Sequence, residues 1–177
     1  MNRFSCLVLP VWKQVTPELQ NELVDLWTHN GAITDSTVAA TRAQQAVCVA
    51  RDASGALCGV STAIVRVLPR LRQPMYYYRQ FFAEDLRGQK QAIPFLNKSR
   101  EVLQNYNASL PVPESIGILL ELENAFFAKY YDRAWVEEAE SVFLGYSPRG
   151  LQLRASYFED ARLLMPMPLR RRKPTAA

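Results

Sequence analysis

Histidine, paired cysteines and long apolar runs are scarce in this chain of 177 residues. The single histidine is His29, and the three cysteines, Cys6, Cys48 and Cys58, form no CxxC pair. We therefore expect no metal site, because structural zinc sites need about four nitrogen and sulphur ligands close together. A Ser-His-Asp or Cys-His enzyme is also disfavoured, since no motif that presents a nucleophile surrounds the lone histidine.

A membrane span and a secretion signal are missing as well. No apolar run reaches the roughly 18 residues that a membrane helix needs. The first residues, MNRFSCLVLPVWKQ, have too short an apolar core for a convincing signal peptide. We therefore expect a cytoplasmic protein without a membrane partner.

A strong excess of one charge is absent from most of the chain. The 21 basic and 17 acidic residues give a net charge of +4, and four of the basic residues form the run Arg170 to Lys173. The rest of the chain is therefore neutral, which argues against nucleic acid as a partner except for weak binding through that run. We predict a single folded domain over residues 1–160 and a flexible, basic, Pro-rich tail over 161–177.

What the sequence does contain is an ordered succession of strand and helix patterns. A strand near Cys6 to Pro10 precedes a helix that begins at Pro17, with Thr16 as its N-cap. Residues 45–68 have the pattern of a hairpin. Residues 74–82 have that of a strand whose side chains alternate between two faces.

The second half of the chain continues in the same way. We expect a helix after Gly88, an apolar strand over SIGILLELE, a helix from Asn124 through AFFAKYYDRAW, and a closing hairpin over ESVFLGY and LQLRASYF. The order β-α-β-β-β-α-β-α-β-β predicts an α/β (α+β) fold with a mixed central sheet of about 6–7 strands flanked by helices.

A charged turn precedes the helix after Gly88. It reads Arg87-Gly88-Gln89-Lys90-Gln91-Ala92. Pro94 is tolerated only in a first helical turn, so the helix begins no earlier than about Lys90. Backbone N–H groups at a helix N-terminus have no partner within the helix and bind anions. The turn is therefore a candidate phosphate-binding corner.

This corner resembles the signature of the GNAT N-acetyltransferase superfamily, Gln/Arg-x-x-Gly-x-Gly/Ala. Arg87 and Ala92 match its first and last positions, and Lys90 replaces the central glycine. In that family the corner cradles the pyrophosphate of acetyl-CoA. The resemblance therefore implies that Arg87, Gly88, Gln89, Lys90, Gln91 and Ala92 bind this co-substrate.

A second segment, ELENAFFAKYYDRAW, is similar to the family pattern Asn-x-x-Ala-x-x-x-Tyr-x-Lys/Arg. Asn124, Tyr131 and Arg133 match it, whereas Phe127 replaces the small residue. The resemblance implies that Asn124 opens a helix at the co-substrate and that Tyr131 is the acid that protonates the leaving thiolate. The alternative for Tyr131 is an aromatic packing residue.

The family resemblance implies direct acetyl transfer from acetyl-CoA to an amine acceptor, which is a small amine, a peptide or a protein lysine. The alternative is a catalytically degenerate GNAT-like module that binds acyl-CoA or another protein, and Lys90 favours this alternative. A homodimer is also possible, because GNAT-like domains commonly dimerise. The resemblance further implies that the backbone of Phe81, Phe82 and Ala83 pairs with the pantetheine arm, although both phenylalanines are equally well explained as core.

The general base is left open by the sequence. Glu121 and Glu123 lie on one face at the end of the apolar strand, where burial would raise a carboxyl pKa toward neutrality. Glu84, which precedes the corner, and a water chain are the other candidates. For the acceptor pocket, the resemblance points to Trp27, His29, Tyr146 and Arg149, each of which is also explained by a structural role.

Overall fold

The computed structural model describes residues 6–84, 90–124, 128–129, 131–159 and 161–166. The helices are α1 Pro17–His29, α2 Ser36–Ala43 and α3 Ala92–Ser109. The strands are β1 Leu7–Pro10, β2 Ala46–Arg51, β3 Leu57–Val67, β4 Pro74–Phe82, β5 Gly117–Leu122, β6 Trp135–Val136, β7 Ser141–Tyr146 and β8 Gln152–Tyr157.

All of these strands belong to one sheet of eight strands in the order β1-β2-β3-β4-β5-β8-β7-β6. Neighbouring strands are antiparallel except β4 and β5, which are parallel. A parallel pair needs a crossover connection, and α3 provides it. The predicted α/β fold with a mixed central sheet is confirmed, with slightly more strands than the predicted 6–7, since the short β6 was not expected.

The helix α1 begins where the sequence predicts. The Thr16 side chain accepts a hydrogen bond from the Leu19 N–H, and Pro17 occupies the first helical position. Helix α2 was not predicted, although Asp35 caps it by accepting from the N–H groups of Thr37 and Val38. Its buried residues are alanines, so its sequence lacks the periodic large apolar residues that reveal a helix.

The two faces of the sheet pack against different helices. Tyr76 and Tyr78 of β4 share a core cluster with residues of α3, among them Phe95 and Leu103. Phe81, which alternates with them, packs in the cluster that contains the buried stripe of α1. The predicted alternation of β4 is therefore confirmed, since its two faces contact different helices.

The helix predicted from Asn124 through Trp135 is wrong at its end. Ala128 N–H donates to the Asn124 carbonyl at 3.0 Å, which is a helical bond, but Trp135 begins β6 and pairs with Val142. Residues 125–127 and 130 lie outside the described residues. The physical reason for the early end is Arg154, whose guanidinium binds the carbonyls of residues 133 and 134 and holds the chain away from helical geometry.

The segment that follows β8 contacts the folded domain. Leu164 exchanges two hydrogen bonds with the Gln73 side chain, at 2.8 and 2.9 Å. The basic run Arg170 to Lys173 lies outside the described residues, so the domain boundary and the flexible tail stay predictions. No helix within the described ranges is long and apolar enough to cross a bilayer.

Candidate functional site

The parallel strands β4 and β5 separate near the middle of the sheet. Their pairing spans only Tyr76–Tyr78 and Ile118–Leu120, although β4 runs on to Phe82 and β5 to Leu122. The gap forms a cavity of about 480 Å³ that the diverging strand ends line on both sides. A cleft between two strands accepts an extended ligand, which can form main-chain hydrogen bonds along it.

The N-terminus of α3 lies at one end of this cavity, because Ala92 lines it. Pro94 is the third residue of the helix, so the predicted placement of this proline in the first turn is confirmed. The N–H groups of Ala92 and Ile93 belong to the first turn and have no acceptor within the helix. Arg87, Gly88 and Gln89 of the predicted corner lie outside the described residues.

Lys90 has a φ of +55°. This left-handed conformation favours glycine, because a Cβ atom is close to the neighbouring carbonyl there. A glycine would adopt this backbone conformation without the steric cost that the Cβ atom of Lys90 carries. Its side chain is exposed, so the lysine does not fill the corner with buried atoms.

The predicted pantetheine strand has mixed geometry. Phe81 and Phe82 are partnered with Val60 and Gly59 of β3, and both line the cavity. The Phe82 ring also packs on Phe95 at 5.1 Å between centroids, so its side chain belongs to the core. The Ala83 N–H already donates to the sheet, to the Cys58 carbonyl at 2.9 Å, so this N–H is not available to a ligand.

Two carboxylates line the opposite wall, and Arg149 binds both of them. Its Nη2 donates to Glu121 Oε2 at 2.8 Å and to Glu123 Oε1 at 2.7 Å. The Tyr77 hydroxyl donates to the same Glu121 oxygen at 2.5 Å. The Glu121 side chain is only 9% exposed, against 54% for Glu123. The pair therefore differs in access to water.

The expected rise in the pKa of Glu121 is contradicted by these contacts. Burial does raise the pKa of the Glu121 carboxyl, but hydrogen bonds from Arg149, Ser147 and Tyr77, with the Arg149 charge, outweigh it and lower the pKa to about 2. Burial and the bond to Glu121 also raise the pKa of Tyr77. Glu121 is thus a fixed anion. Glu84, the third candidate base, is exposed and is not among the residues that line the cavity.

Tyr131 lines the cavity and is 5% exposed. It follows the helical residues 128–129 rather than lying within a helix. Its carbonyl accepts from Gln152 Nε2 at 3.2 Å, and its ring centroid lies 5.6 Å from the guanidinium carbon of Arg154. Asn124 lines the same cavity. Two of the three matched residues of the second motif, Asn124 and Tyr131, therefore line one cavity.

Arg154 was missed by the sequence analysis, and it is fully buried on β8. Its guanidinium donates to the Ser141 hydroxyl, to the Gln152 side chain and to the carbonyls of residues 133, 134 and 141 at 2.9 to 3.1 Å, and to the Tyr131 carbonyl at 3.5 Å. No carboxylate of the described chain lies within ion-pair distance of it. The sequence feature that could have revealed it is an arginine at an inward-facing position of the predicted strand LQLRASYF.

The predicted acceptor residues are not all brought together. Trp27 is buried and lines the cavity, and Arg149 binds its acidic wall. His29 is exposed at the end of α1, with Nδ1 2.8 Å from the Asp25 carbonyl oxygen. Tyr146 is 68% exposed. Neither His29 nor Tyr146 is among the described residues that line the cavity.

Arg42 and Arg79 also line the cavity, and the sequence analysis did not identify them as functional residues. Arg42 lies in the last turn of α2, a helix that was not predicted. Arg79 was placed correctly on the face of β4 that it shares with Tyr77 and Phe81. The signal that could have found it was a charged side chain on a face that is otherwise aromatic.

Comparisons with known proteins identify the fold. A scan against protein-family models finds no match, and a search of curated proteins finds none either. Among solved structures, 67 chains match. A ribosomal-protein-S5-alanine acetyltransferase from Vibrio fischeri has a TM-score of 0.59 at 9% identity, covering 92% of this chain and 98% of its own.

Two further structures are similar over most of their length. A GNAT-family acetyltransferase from Streptococcus pneumoniae has a TM-score of 0.58 at 12% identity, covering 86% of this chain and 99% of its own. A mutant of the toxin AtaT, bound to the C-terminus of the antitoxin AtaR and to acetyl-CoA, has a TM-score of 0.53 at 12% identity, covering 86% and 94%. The chain therefore has the fold of the GNAT acetyltransferases, as the resemblance of its two motifs predicts.

Proposed function

We propose that the protein is an acetyl-CoA-dependent N-acetyltransferase that transfers the acetyl group directly to an amine. The main support is the gap between β4 and β5, which is lined at one end by the first residue of α3 and further along by Asn124 and Tyr131. A phosphate-binding helix end and an extended cleft are the two features that a nucleotide thioester needs.

The residues present fit this co-substrate. The first turn of α3 would hold the pyrophosphate, together with the predicted corner residues Arg87 to Gln91. The strand segment of Phe81, Phe82 and Ala83 would line the pantetheine arm on one side, and Asn124 would line it on the other. The exposed Lys90 would add a positive charge beside the pyrophosphate rather than block it.

Acetyl-CoA supplies an acetyl thioester when bound: the amine nitrogen bonds to the carbonyl carbon, the C–S bond breaks, and the electron pair leaves on sulphur. The acceptor must first lose a proton, and the sulphur must gain one. We assign the second task to the Tyr131 hydroxyl. Tyr131 is buried at the cavity wall, and Gln152 donates a hydrogen bond to its carbonyl. These contacts hold the residue in its place at the cavity.

The proton from the acceptor passes to Glu123 through water. Glu121 is the weaker choice, because a carboxyl with its pKa lowered to about 2 accepts a proton reluctantly near neutral pH. Glu123 is half-exposed and lies where water reaches it. Glu121 and Arg149 instead fix the orientation of this acidic wall.

Thermal unfolding with and without acetyl-CoA tests the assignment. A ligand at about a hundred times its Kd stabilises the folded state by about 2.7 kcal/mol, which raises the Tm of a chain of this size by roughly 5–10 °C. Lys90→Glu should reduce that rise, whereas Arg70→Glu, an exposed turn residue away from the cavity, should not.

The possible outcomes distinguish an active acetyltransferase from a catalytically degenerate GNAT-like module. No shift at millimolar acetyl-CoA would exclude both the enzyme and the site. A shift with no turnover of any amine would favour the module that binds acyl-CoA without catalysis. If turnover is found, Tyr131→Phe should bind acetyl-CoA normally but turn over roughly a hundredfold more slowly. The homodimer and the cytoplasmic location stay predictions from the sequence.

A further inference from the structure

Three arginines meet beside the main cavity. A second cavity of about 230 Å³ is lined by Arg42, Arg66 and Arg79, together with polar residues of α2 and its C-terminal turn. Arg42 and Arg79 line both cavities. The second cavity is therefore a lateral extension of the site proposed for acetyl transfer. We call these three residues the arginine cluster.

The fold fixes the cluster from two sides. Arg79 of β4 is the partner of Thr62 on β3, and Arg66 lies four residues further along β3, so both side chains leave the same face of the sheet. Arg42 comes from the last turn of α2, which packs over that face. Sheet and helix together thus direct three cations at one small space.

The cluster has no ion-pair partner within the described part of the chain, because no carboxylate there forms an ion pair with any of the three arginines. Arg66 and Arg79 instead lie on the Tyr77 ring, with guanidinium carbons 5.2 and 4.7 Å from its centroid. Arg79 also donates one bond, from Nη2 to the Tyr77 hydroxyl at 3.3 Å.

One donor of the cluster is unsatisfied. The Nε of Arg79 is buried and has no hydrogen-bond partner among the residues described. Buried donors in proteins are nearly always paired, since an unpaired one costs free energy. The pKa of Arg42 is lowered, first by burial and then by the charge of Arg79. Both observations indicate that placing these cations together costs the folded protein free energy.

The nearest acids relieve this cost only in part: the Glu123 charge raises the pKa of Arg42, against the larger effects of burial and the Arg79 charge. Glu121 and Glu123 lie on the other wall, and both bind Arg149. The two walls thus have opposite character: paired carboxylates on one side and unpaired guanidinium groups on the other. A ligand that complements both walls has an amine and an acidic group in one molecule.

We propose that the acetyl acceptor is an amine that also bears a carboxylate or a phosphate, and that the arginine cluster binds this anionic group. Guanidinium groups bind both anions through paired N–H donors. The anion would fill the second cavity beside the three guanidinium groups, while the amine would extend into the gap between β4 and β5. This inference rests on the proposed function, because only an acetyltransferase has an acetyl acceptor.

The first test measures binding alone. Inorganic phosphate, and separately acetate, should raise the Tm by about 2 °C or more above that in sodium chloride of equal ionic strength. The double variant Arg42→Gln/Arg79→Gln should lose this rise. The matched control Arg70→Gln/Arg162→Gln, which removes two exposed arginines outside both cavities, should keep it.

The second test measures acetylation of matched amines. Phosphoethanolamine should have a kcat/KM at least about tenfold above that of ethanolamine, or β-alanine above that of its amide, since charge-assisted hydrogen bonds are stronger than neutral ones. The first pair reports a phosphate and the second a carboxylate. In the double arginine variant the ratio should fall toward one.

The results distinguish this inference from the proposed function. A failure of acetyl-CoA to shift the Tm would overturn the enzyme, while a phosphate shift that the double variant abolishes would still support the anion site. Equal kcat/KM within both pairs would overturn the inference and leave the enzyme intact. If no amine is acetylated, an anion shift that is absent, or that survives in the double variant, is enough to overturn it.

Discussion

Two arginines on opposite faces of the sheet have opposite surroundings. Arg154 on the α3 face is fully buried, and oxygen acceptors surround its guanidinium. Arg79 on the other face lines an open cavity, with a buried Nε that has no partner in the described structure. Neither forms an ion pair with a described carboxylate.

The different surroundings of the two arginines indicate different roles. Arg154 gathers the carbonyls of residues 133, 134 and 141, which fixes the chain that leads from Tyr131 into β6. Its full hydrogen bonding indicates a structural role. Arg79 has donors in excess of the acceptors around it. A cation at a cavity wall without an ion-pair partner in the described chain is what the proposed anion site requires.

Removing Arg154 should have the largest effect on stability. Arg154→Met leaves buried carbonyls without donors, so we expect the free energy of unfolding to fall by about 3 kcal/mol or more. The Tm should then fall by roughly 6–12 °C. Thermal unfolding measures the loss, with Arg70→Met as the exposed control. An unchanged Tm would show that Arg154 does not hold the segment after Tyr131.

Removing Arg79 should affect ligand binding and leave stability nearly unchanged. Arg79→Gln loses a contact with the Tyr77 ring worth about 0.5–1 kcal/mol, but it also removes repulsion from Arg42 and Arg66. We expect a Tm close to that of the wild type and loss of the phosphate-induced shift. A large fall in Tm would mean that Arg79 is structural, like Arg154.

Only part of the fold and of the candidate site could be predicted from the sequence. The succession of strands and helices, the N-cap of α1 and the alternation of β4 are local patterns, and each was predicted. The length of the helix after Asn124 was not, because Arg154, some twenty positions further along, ends it. Glu121 was misjudged for the same reason. Its lowered pKa depends on Arg149 and Tyr77, which only the folded chain brings to it.

The pH dependence of stability tests the acidic wall. The pKa of Glu121 is lowered to about 2 in the folded protein, below the ordinary value of about 4.3. Its contribution is therefore present above the ordinary value and is lost as the pH falls toward 2. Glu121→Gln should lose less stability than the wild type between pH 5 and pH 2, as measured by urea unfolding. Parallel losses would contradict the ion pair with Arg149.

The smallest effect concerns the backbone at Lys90. Its φ of +55° favours glycine, so Lys90→Gly should change stability by about 1 kcal/mol or less and preserve the acetyl-CoA shift. Lys90→Val should weaken that shift, because a β-branched residue resists the left-handed region. Equal shifts in both variants would show that this conformation is not needed for binding.

A crystal structure of the protein with acetyl-CoA will show whether the gap between β4 and β5 binds this ligand. We expect the pyrophosphate at the N-terminus of α3, beside Ala92, and the thioester between the two strands near Tyr131. Acetyl-CoA bound elsewhere on the molecule, or a gap that stays empty at millimolar ligand, would contradict this expectation.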